Sequence, residues 1–409
     1  MKIAIYSYSD RGCQLAVRIA AFYQAQGDTA TCYAIAKFAN AYQLTAISST
    51  SEGVAEQFGA VHAIVFVGAC GIAVRALAPL LKSKTQDPAC LVVDDGAQFV
   101  IPLVSGHIGG ANAQAQLLAR ALGACPVVTT ATDVNHRFSV DAFAAQRGFA
   151  ISSMADAKAF SAQILTCDLP LFTCPEVSIT SPLGAGLYLG AQELLPENAK
   201  TQQNTQTATI SVQESKEKAF VAGGQNAQIG LLLGYSTALP GVDLPLLRLI
   251  PPMLTLGIGC KKGTIAQQIE TLVQSVLTAQ QIDPAAVRCV ASIDLKAQEP
   301  GLLAFCKAQR YALQCYSAAQ LQAVQGDFTA SAFVQSITGV DNVCERAAIL
   351  AAQGAAKPIS QGAVQNMAQI SDHSTVQMAQ NTAHLICRKI SRDGVTLAIA
   401  AQELEVCFG

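Results

Sequence analysis

Two glycine-rich turns contain the residues of this sequence that are best suited to chemistry. The first holds Gly68 and Gly71 and is followed by Arg75; the second, Ser105-Gly106-His107-Ile108-Gly109-Gly110, leads to Asn112. Glycine lets backbone N–H groups approach a ligand closely, and a helix N-terminus beside them favours an anion. Two such turns within one short stretch predict a site for a negatively charged ligand.

His107 is the first candidate for a catalytic residue. It lies between a predicted strand and a predicted helix, where the ring can accept a proton from water while backbone N–H groups hold an oxyanion. The alternative is a structural histidine whose ring is buried and hydrogen bonded. No second histidine lies at the spacing of metal ligands, so we expect no catalytic zinc and assign no residue to a metal.

Hydroxyl and carboxyl groups end two other predicted strands. Thr129, Thr130 and Asp133 follow one of them, and they either bind polar groups of a ligand or cap the helix that comes next. Asp294 ends a later strand, in the sequence Ser292-Ile293-Asp294-Leu295-Lys296. Both aspartates are therefore candidates for a catalytic acid.

A third glycine turn carries two lysines. Gly257 and Gly259 end a predicted strand, and Lys261, Lys262 and Thr264 lead into a helix, an arrangement that can bind an anion. The alternative is a turn whose glycines permit close packing and whose lysines are solvated. The turn lacks the last glycine of a GxGxxG fingerprint, and the chain has no GxxxxGK[ST] phosphate loop, so nucleotide cofactors are not expected.

Asn342, Glu345 and Arg346 begin a predicted helix that is otherwise rich in alanine and leucine. Asn342 could serve only as its N-cap. A carboxylate and a guanidinium inside such an apolar helix nevertheless suggest a role beyond solvation. Glu345 is therefore a further candidate for the acid.

Composition excludes several classes of protein. Of 409 residues, 51% are hydrophobic and only 13% are charged, yet no apolar stretch is long enough to span a membrane and no signal peptide is recognisable. A net charge of −2 and the absence of tryptophan argue against nucleic-acid binding. Fourteen scattered cysteines without a CxxC pair fit reduced thiols, so we expect a cytoplasmic protein.

Alternating strands and helices must position these residues. In the first 140 residues we predict strands at Lys2–Tyr8, His62–Val67, Leu91–Asp94, Phe99–Leu103 and Pro126–Thr130, with helices at Arg11–Gln26, Ile72–Leu81 and Gly110–Leu122. The alternation predicts an α/β fold with a doubly wound, mainly parallel sheet. Ligands of such sheets bind at the carboxyl ends of the strands, where we place both of the first two glycine turns.

Three domains are expected: residues 1–140 as an N-terminal α/β domain, 141–240 as a small middle domain with a polar insertion, and 252–409 as a separate C-terminal α/β domain. In the last domain we predict strands at 253–260, Val287–Leu295, Leu313–Tyr316, His384–Ile390 and Val395–Ala401, helices at Glu299–Gln309, Ser331–Ile337 and Asn342–Gln353, and a capping box at Thr264–Gln267. The polar runs 193–228 and 353–382 are predicted to be loops or insertions.

These segments resemble the cobalt-precorrin-5A hydrolase family, the CbiG proteins of anaerobic cobalamin biosynthesis. In the first half, the resemblance depends on the motifs GACGIAVRALAPLLKSKTQDPACLVVDDG, FVIPLVSGHIGGAN and PVVTTATD. In the second half, it depends on LGIGCKKGT, ASIDLKAQEPGLLAFC and GVDNVCERAAILAA. It covers most of residues 60–135 and 253–352, in the order found in the family.

The resemblance implies a hydrolase that acts on a cobalt-bound, ring-contracted tetrapyrrole, cobalt-precorrin-5A. Such an enzyme opens the δ-lactone formed from the ring A acetate and releases the extruded two-carbon unit as acetaldehyde. The cobalt is carried by the substrate, and no other cofactor is expected. A polyacid with an apolar disc suits an apolar cleft with a cationic rim. The expected rim consists of Arg75, Lys82, Lys84, Lys261, Lys262 and Arg346.

Our hypothesis for the mechanism has two stages. Water activated by His107 attacks the lactone carbonyl while amides of a glycine turn hold the oxyanion, and the freed alkoxide then expels the macrocycle carbon as acetaldehyde forms. Glu345, Asp133 or Asp294 supplies the acid.

Two alternatives stay open: a non-catalytic tetrapyrrole-binding module that hands its ligand to neighbouring methyltransferases, and an unrelated dinucleotide-dependent oxidoreductase. Transient contact with other enzymes of the cobalamin pathway is expected, whereas nucleic-acid and membrane partners are not.

Overall fold

The computed structural model describes residues 1–83, 86–190, 226–354 and 382–408. The chain divides into two compact units, one formed by residues 1–146 and one by the described residues from 147 onward. Each unit combines helices with mostly parallel sheets, which confirms the predicted fold class. The polar runs 193–228 and 353–382 lie almost entirely outside the described residues, as does Lys84. Among the described residues, no helix is long and apolar enough to cross a membrane.

The first unit contains a seven-stranded sheet with helices on both faces. Its strands are β1 (Lys2–Ser7), β2 (Thr29–Ile35), β3 (Thr45–Ile47), β4 (Ala63–Val67), β5 (Ala89–Val93), β6 (Phe99–Val104) and β7 (Cys125–Pro126). Its helices are α1 (Asp10–Ala25), α2 (Ala36–Tyr42), α3 (Thr50–Gln57), α4 (Cys70–Leu77), α5 (Ala111–Leu122), α6 (Ala131–Val134) and α7 (Val140–Arg147). The strand order is β3-β2-β1-β4-β5-β6-β7, and the first five of these strands run parallel.

Strand residues of the first unit are buried on both sides of the sheet, because alternate side chains point to opposite faces. Ile3 and Ile5 pack with residues of α1 and α5, whereas Ala4 and Tyr6 pack with residues of α3 and α4. The central strands β1, β4 and β5 are therefore near-continuous apolar runs, which is why the sequence predicts them so clearly.

The chain reverses direction after β5. Strand β6 runs antiparallel to β5, with Cys90 opposite Val104, and β7 pairs in parallel with β6. The carboxyl ends of β6 and β7 therefore lie at the same edge of the sheet as the amino ends of β1–β5. The Gly68 turn, which follows β4, and the His107 turn, which follows β6, consequently lie at opposite edges. The prediction that both turns occupy one edge is wrong, because it treats β6 as parallel to β4.

Asp94 fixes this reversal. Its carboxylate accepts hydrogen bonds from the backbone amides of Gly96 at 2.9 Å, Gln98 at 2.8 Å and Phe99 at 2.6 Å. A Cβ on Gly96 would lie 2.8 Å from a carboxylate oxygen of Asp94, and Ala97 adopts a left-handed φ of +54°. The side chain of one aspartate thus organises the whole turn.

Two element boundaries of the first unit differ from the sequence prediction. Helix α4 ends at Leu77 rather than Leu81, because Pro79 cannot continue a helix. Strand β7 ends at Pro126 rather than at Thr130. The threonine-rich residues 127–130 instead form the connection to α6, in keeping with the preference of hydroxyl side chains for turns.

The second unit contains two five-stranded sheets and one two-stranded sheet among its described residues. Its strands are β8 (Ala150–Ile151), β9 (Leu169–Thr173), β10 (Val177–Ile179), β11 (Leu187–Leu189), β12 (Gly230–Leu233), β13 (Leu246–Ile250), β14 (Leu254–Cys260), β15 (Val287–Ile293), β16 (Ala312–Tyr316), β17 (Ala383–Arg392), β18 (Val395–Gln402) and β19 (Leu404–Val406). Its helices are α8 (Met154–Gln163), α9 (Ala266–Ala279), α10 (Pro300–Gln309), α11 (Ala318–Ala323), α12 (Ala332–Thr338) and α13 (Cys344–Ala352). The sheets have the orders β11-β9-β12-β13-β8, β16-β15-β14-β18-β17 and β10-β19.

Helix α13 packs very closely on β14. A Cβ on Gly257 would lie 1.8 Å from the carbonyl oxygen of Cys344, and one on Gly259 would lie 2.6 Å from the hydroxyl of Thr396. No side chain fits at Gly257, because the close atom there belongs to the backbone of α13. At Gly259 the close atom ends the side chain of Thr396, which would have to rotate to make room. Close packing therefore explains Gly257, which is the alternative interpretation of this turn.

Helix α9 begins one residue later than the predicted capping box. The buried hydroxyl of Thr264 donates to the carbonyl of Lys261 at 2.8 Å and does not cap the helix. The N-cap is Ile265, whose amide donates to the side-chain oxygen of Gln268 at 3.2 Å. The predicted box at Thr264–Gln267 is wrong by one residue, because the backbone of the preceding turn, rather than the motif, decides where the helix starts.

All fourteen cysteines are free thiols, as predicted. Burial raises the pKa of Cys90 to about 12 and that of Cys344 to about 11. Thiols with such pKa values are neutral at physiological pH, so these cysteines behave as small apolar side chains.

Candidate active site

The His107 turn follows β6 and closes tightly around glycine. Ser105 adopts a left-handed φ of +58°, and its hydroxyl donates to the carbonyl of Asp87 at 2.9 Å. A Cβ on Gly109 would lie 2.3 Å from the Cβ of Ser105, so only glycine fits there. The amide of Asn112 donates to the carbonyl of Gly106 at 2.9 Å and joins the turn to α5.

The ring of His107 lies between two carboxylates. Its Nε2 is 2.8 Å from Oδ2 of Asp133, and its Nδ1 is 3.1 Å from Oδ1 of Asp141. The hydroxyl of Ser139 donates to the same oxygen of Asp141 at 2.9 Å, and the hydroxyl of Thr132 lies 3.4 Å from Nε2. The side chain of His107 is only 12% exposed. We refer to Asp133, His107 and Asp141 as the Asp–His–Asp cluster.

The two carboxylates favour the protonated form of the ring. Burial acts to lower the pKa of His107, but the hydrogen bonds and charges of Asp141 and Asp133 outweigh it and raise the pKa above its ordinary value of 6.5. Both ring nitrogens can donate to carboxylates only when the ring is protonated. The geometry therefore does not favour His107 as the base that activates water.

We expect the Asp–His–Asp cluster to stabilise the fold most strongly at low pH. When the folded pKa of a histidine is raised, the stabilisation is complete below the unfolded pKa, about 6.5, and is lost as the pH rises through the folded pKa. The thermal midpoint of the wild type should exceed that of His107→Gln near pH 6, and the difference should shrink as the pH rises. A difference that is constant with pH would contradict the protonated ring.

Asp133 is the most exposed member of the cluster. Its side chain is 32% exposed, against 11% for Asp141, and it lines a surface depression of about 430 Å³. Its Oδ2 accepts hydrogen bonds from Asn112 at 3.0 Å and from His107. The depression is also lined by Gln116, Pro126, Val128, Thr132, His136 and Arg137. A carboxylate held in this way can take a proton from a water molecule in the depression.

The first amides of α5 are already used by the turn itself. Gly110 donates to the carbonyl of His107 at 3.0 Å, and Ala111 donates to that of Ser105 at 3.1 Å. With Asn112 bonded to Gly106, three successive amides have partners within the turn. This conformation therefore does not favour the anion site predicted there.

Four residues predicted from the sequence come together at this edge of the sheet: His107, Asn112, Thr130 and Asp133. Asn112 links them, because its side-chain amide donates both to the hydroxyl of Thr130 and to Asp133. Thr130 supports Asn112 and makes no side-chain cap to α6, while Thr129 is exposed. The site follows β6 and β7, and it thus lies at the carboxyl ends of a parallel pair.

The Gly68 turn lies at the opposite edge of the same sheet. The amide of Gly68 donates to the carbonyl of Val93 at 2.8 Å, and a Cβ there would lie 3.0 Å from the ring of Tyr8. Gly71 and Arg75 are exposed in α4, and Lys82 is exposed after it. These three residues therefore do not share a site with His107 within the first unit.

In the second unit, the turn with two lysines already holds a carboxylate of the chain. Glu299 accepts a hydrogen bond from the amide of Gly263 at 2.7 Å, and Nζ of Lys296 lies 2.8 Å from its other oxygen. The hydrogen bond from Lys296, followed by that from Gly263, lowers the pKa of Glu299. Lys261 and Lys262 are exposed beside this contact. The turn can thus bind an anion, and in this structure that anion is the carboxylate of Glu299.

Glu345 has a structural setting. Its side chain is fully buried and accepts hydrogen bonds from the amide and the hydroxyl of Thr329, the side chain of Asn342 and the amide of Lys389, at 2.7 to 2.9 Å. Asn342, also buried, accepts the amide of Glu345 at 2.8 Å, as an N-cap does. A carboxylate without exposed surface cannot reach a ligand in this conformation. The geometry therefore does not favour Glu345 as a catalytic acid.

Arg346 is also satisfied within the chain. Its Nε lies 2.8 Å from Asp341, a terminal nitrogen donates to the carbonyl of Val324 at 2.7 Å, and the guanidinium lies 4.4 Å from the ring centre of Phe328. These contacts do not favour a role in reading substrate carboxylates. Asp294 is exposed after β15, where it accepts the amide of Leu295 at 2.8 Å.

Sequence reasoning missed Ser139 and Asp141. The predicted domain boundary falls between residues 140 and 141 and thus separates Asp141 from His107. The one available signal is the Ser139-Val140-Asp141 pattern at a helix start, which usually indicates only capping.

The fold and the cluster define an α/β protein in which a histidine held between two carboxylates lies beside a surface depression. Residues 52–133 match the family described as Cobalamin synthesis G N-terminal, and residues 254–400 match Cobalamin synthesis G C-terminus. The cobalt-precorrin-5A hydrolase of Salmonella typhimurium is 32% identical over 352 residues, which cover 86% of this chain and 92% of that protein. The chain belongs to the cobalt-precorrin-5A hydrolase family.

Two further proteins are similar to this chain. The cobalt-precorrin-5A hydrolase of Priestia megaterium is 31% identical over 293 residues, which cover 72% of this chain and 73% of that protein. The crystal structure of a cobalamin biosynthesis protein G homologue from Sulfolobus solfataricus aligns with 98% of this chain and 97% of its own, at 18% identity and a TM-score of 0.37.

Proposed function

We propose that this protein is a cobalt-precorrin-5A hydrolase of anaerobic cobalamin biosynthesis, which opens the ring A δ-lactone and releases acetaldehyde. Membership of the family supports the activity. Our choice of Asp133 as the reacting group rests on one observation. Its carboxylate is held by His107 and Asn112 and lies beside the depression.

Asp133 acts as the base in the proposed reaction. It takes a proton from water as the water oxygen attacks the lactone carbonyl, and the lactone C–O bond then breaks. His107 lies behind Asp133, orients it through the 2.8 Å contact and is itself held by Asp141. We therefore propose that His107 positions Asp133 and does not itself act as the base, which was its role in the hypothesis from the sequence.

The alkoxide that is freed expels acetaldehyde by breaking its bond to the macrocycle. The electron pair of that bond passes to the electron-poor tetrapyrrole, which is later protonated. The substrate therefore supplies its own electron sink as well as its cobalt, and we propose that the protein needs no resident cofactor.

Exposed cations are the proposed contacts for the carboxylates of the substrate. Lys261 and Lys262 have exposed side chains that can pair with them. Arg75 and Lys82 are not retained as contacts of a substrate bound at Asp133, because they lie at the opposite edge of the sheet. Arg346 is not retained, because its guanidinium is satisfied internally. We further propose that the reaction takes place in the cytoplasm, with transient transfer of the tetrapyrrole between enzymes of the pathway.

The proposed function is tested with the purified full chain and cobalt-precorrin-5A. Acetaldehyde is measured by its NADH-dependent reduction with alcohol dehydrogenase, and tetrapyrrole binding by absorbance titration. We expect the protein to turn over repeatedly and to release acetaldehyde in an amount equal to the cobalt-precorrin-5A consumed. Tight binding without acetaldehyde would instead identify a module that hands the ligand to other enzymes.

A further inference from the structure

His136 combines an unfavourable backbone conformation with a position at the depression. It has a φ of +51°, in the left-handed region that is uncommon for residues other than glycine, although asparagine, aspartate and histidine adopt it more often than the others do. Its side chain is exposed and lines the same depression as Asp133. A strained residue beside a candidate active site suggests that the conformation is retained for function.

The turn that follows α6 imposes this conformation. The amide of His136 donates to the carbonyl of Asp133 at 3.1 Å, and the amide of Arg137 donates to that of Thr132 at 2.8 Å. This pair of bonds is the Schellman arrangement, whose left-handed position is usually glycine. Here the position carries an imidazole instead, three residues after the proposed base.

We propose that His136 is a catalytic residue that donates the proton which the macrocycle requires after C–C cleavage. This inference rests on the proposed function. The proton taken from water stays on Asp133, while His136 in its protonated form supplies an equivalent proton to the macrocycle carbon that holds the electron pair. Exchange with solvent then restores both groups, so the overall reaction consumes one water molecule and forms the opened product and acetaldehyde.

An imidazole suits this role because histidine is the side chain that most often transfers a proton in general acid–base catalysis. Glu345 is fully buried, so among the candidates for the acid it is replaced by a residue that reaches the depression.

The test separates the backbone role of His136 from its chemical role. His136→Gly relieves the left-handed strain, so its thermal midpoint should equal or exceed that of the wild type. Its rate of acetaldehyde release should nevertheless fall by about 10²-fold. Free imidazole added to the assay should restore part of the activity of His136→Gly, and His136→Asn, which keeps the turn, should be as impaired.

Gln43 provides a matched control. It is exposed, has a φ of +57° and ends α2 in the same left-handed conformation, remote from the depression in sequence. Gln43→Gly should therefore change the thermal midpoint in the same direction as His136→Gly and leave acetaldehyde release unchanged.

Three outcomes would contradict either the role proposed for His136 or the proposed function, and each can be told from the others. Wild-type activity in His136→Gly would remove His136 from the reaction and leave the proposed function intact. A much lower midpoint in His136→Gly, without a similar loss in Gln43→Gly, would show that the imidazole is structural. Failure of the wild type to release acetaldehyde would remove the proposed function, and the role of His136 with it.

Discussion

Replacement of Asp133 by asparagine should lower the rate of acetaldehyde release by about 10³-fold, within the range for loss of a general base. The amide oxygen of asparagine can still accept the hydrogen bonds from His107 and Asn112, which are 2.8 and 3.0 Å from the carboxylate. The fold and the depression should therefore persist, while the group that removes a proton from water is lost. Single-turnover acetaldehyde release measures the effect, and absorbance titration checks that the tetrapyrrole still binds.

Glu56→Gln is a suitable control for this substitution. Glu56 is exposed on α3, in the same unit, and the change likewise removes one negative charge. We expect wild-type turnover from it. If Asp133→Asn also turned over at the wild-type rate, the reaction would have to take place elsewhere in the chain.

Replacement of Glu345 by leucine should destabilise the second unit by about 3–5 kcal/mol, the usual cost of leaving several buried donors without partners. Four donors from Thr329, Asn342 and Lys389 lose their acceptor. Because the chain has two units, global unfolding need not be two-state. Hydrogen exchange of the amides of Thr329 and Lys389, followed by mass spectrometry, is the more direct measurement, and both should exchange much faster.

Two further variants serve as controls for the Glu345→Leu experiment. Asp243→Ala removes an exposed carboxylate from the same unit and should leave both exchange rates unchanged. Glu345→Gln keeps the size and part of the hydrogen bonding of the side chain. If it folded normally but released no acetaldehyde, the acid role predicted from the sequence would be supported over the structural one.

Elements with strong apolar patterns were predictable to within a few residues. Strand β1 begins at Lys2 as expected, and β17 and β18 contain the predicted strands His384–Ile390 and Val395–Ala401. The direction of β6 could also have been inferred: only residues 94–98 separate it from β5, whereas a parallel connection needs about a dozen residues or more. The short strands between residues 150 and 190 carry too few residues for a pattern to emerge.

The sequence indicated His107 and Asp133 separately but not their contact. The two residues are 26 positions apart, and they meet only because β7 pairs with β6. The role of His107 depended on Asp141, whose charge no local motif connects to the ring. Conversely, Glu345 and Arg346 looked functional because they are polar within an apolar helix, yet burial with complete hydrogen bonding explains them equally well.

The turn organised by Asp94 has a consequence for variation in chain length. The carboxylate binds three amides at fixed places in the turn, so a residue inserted between Asp94 and Phe99 would move those amides away from the acceptor that they share. Natural homologues and engineered libraries should consequently tolerate insertions between β5 and β6 far less than in ordinary surface connections.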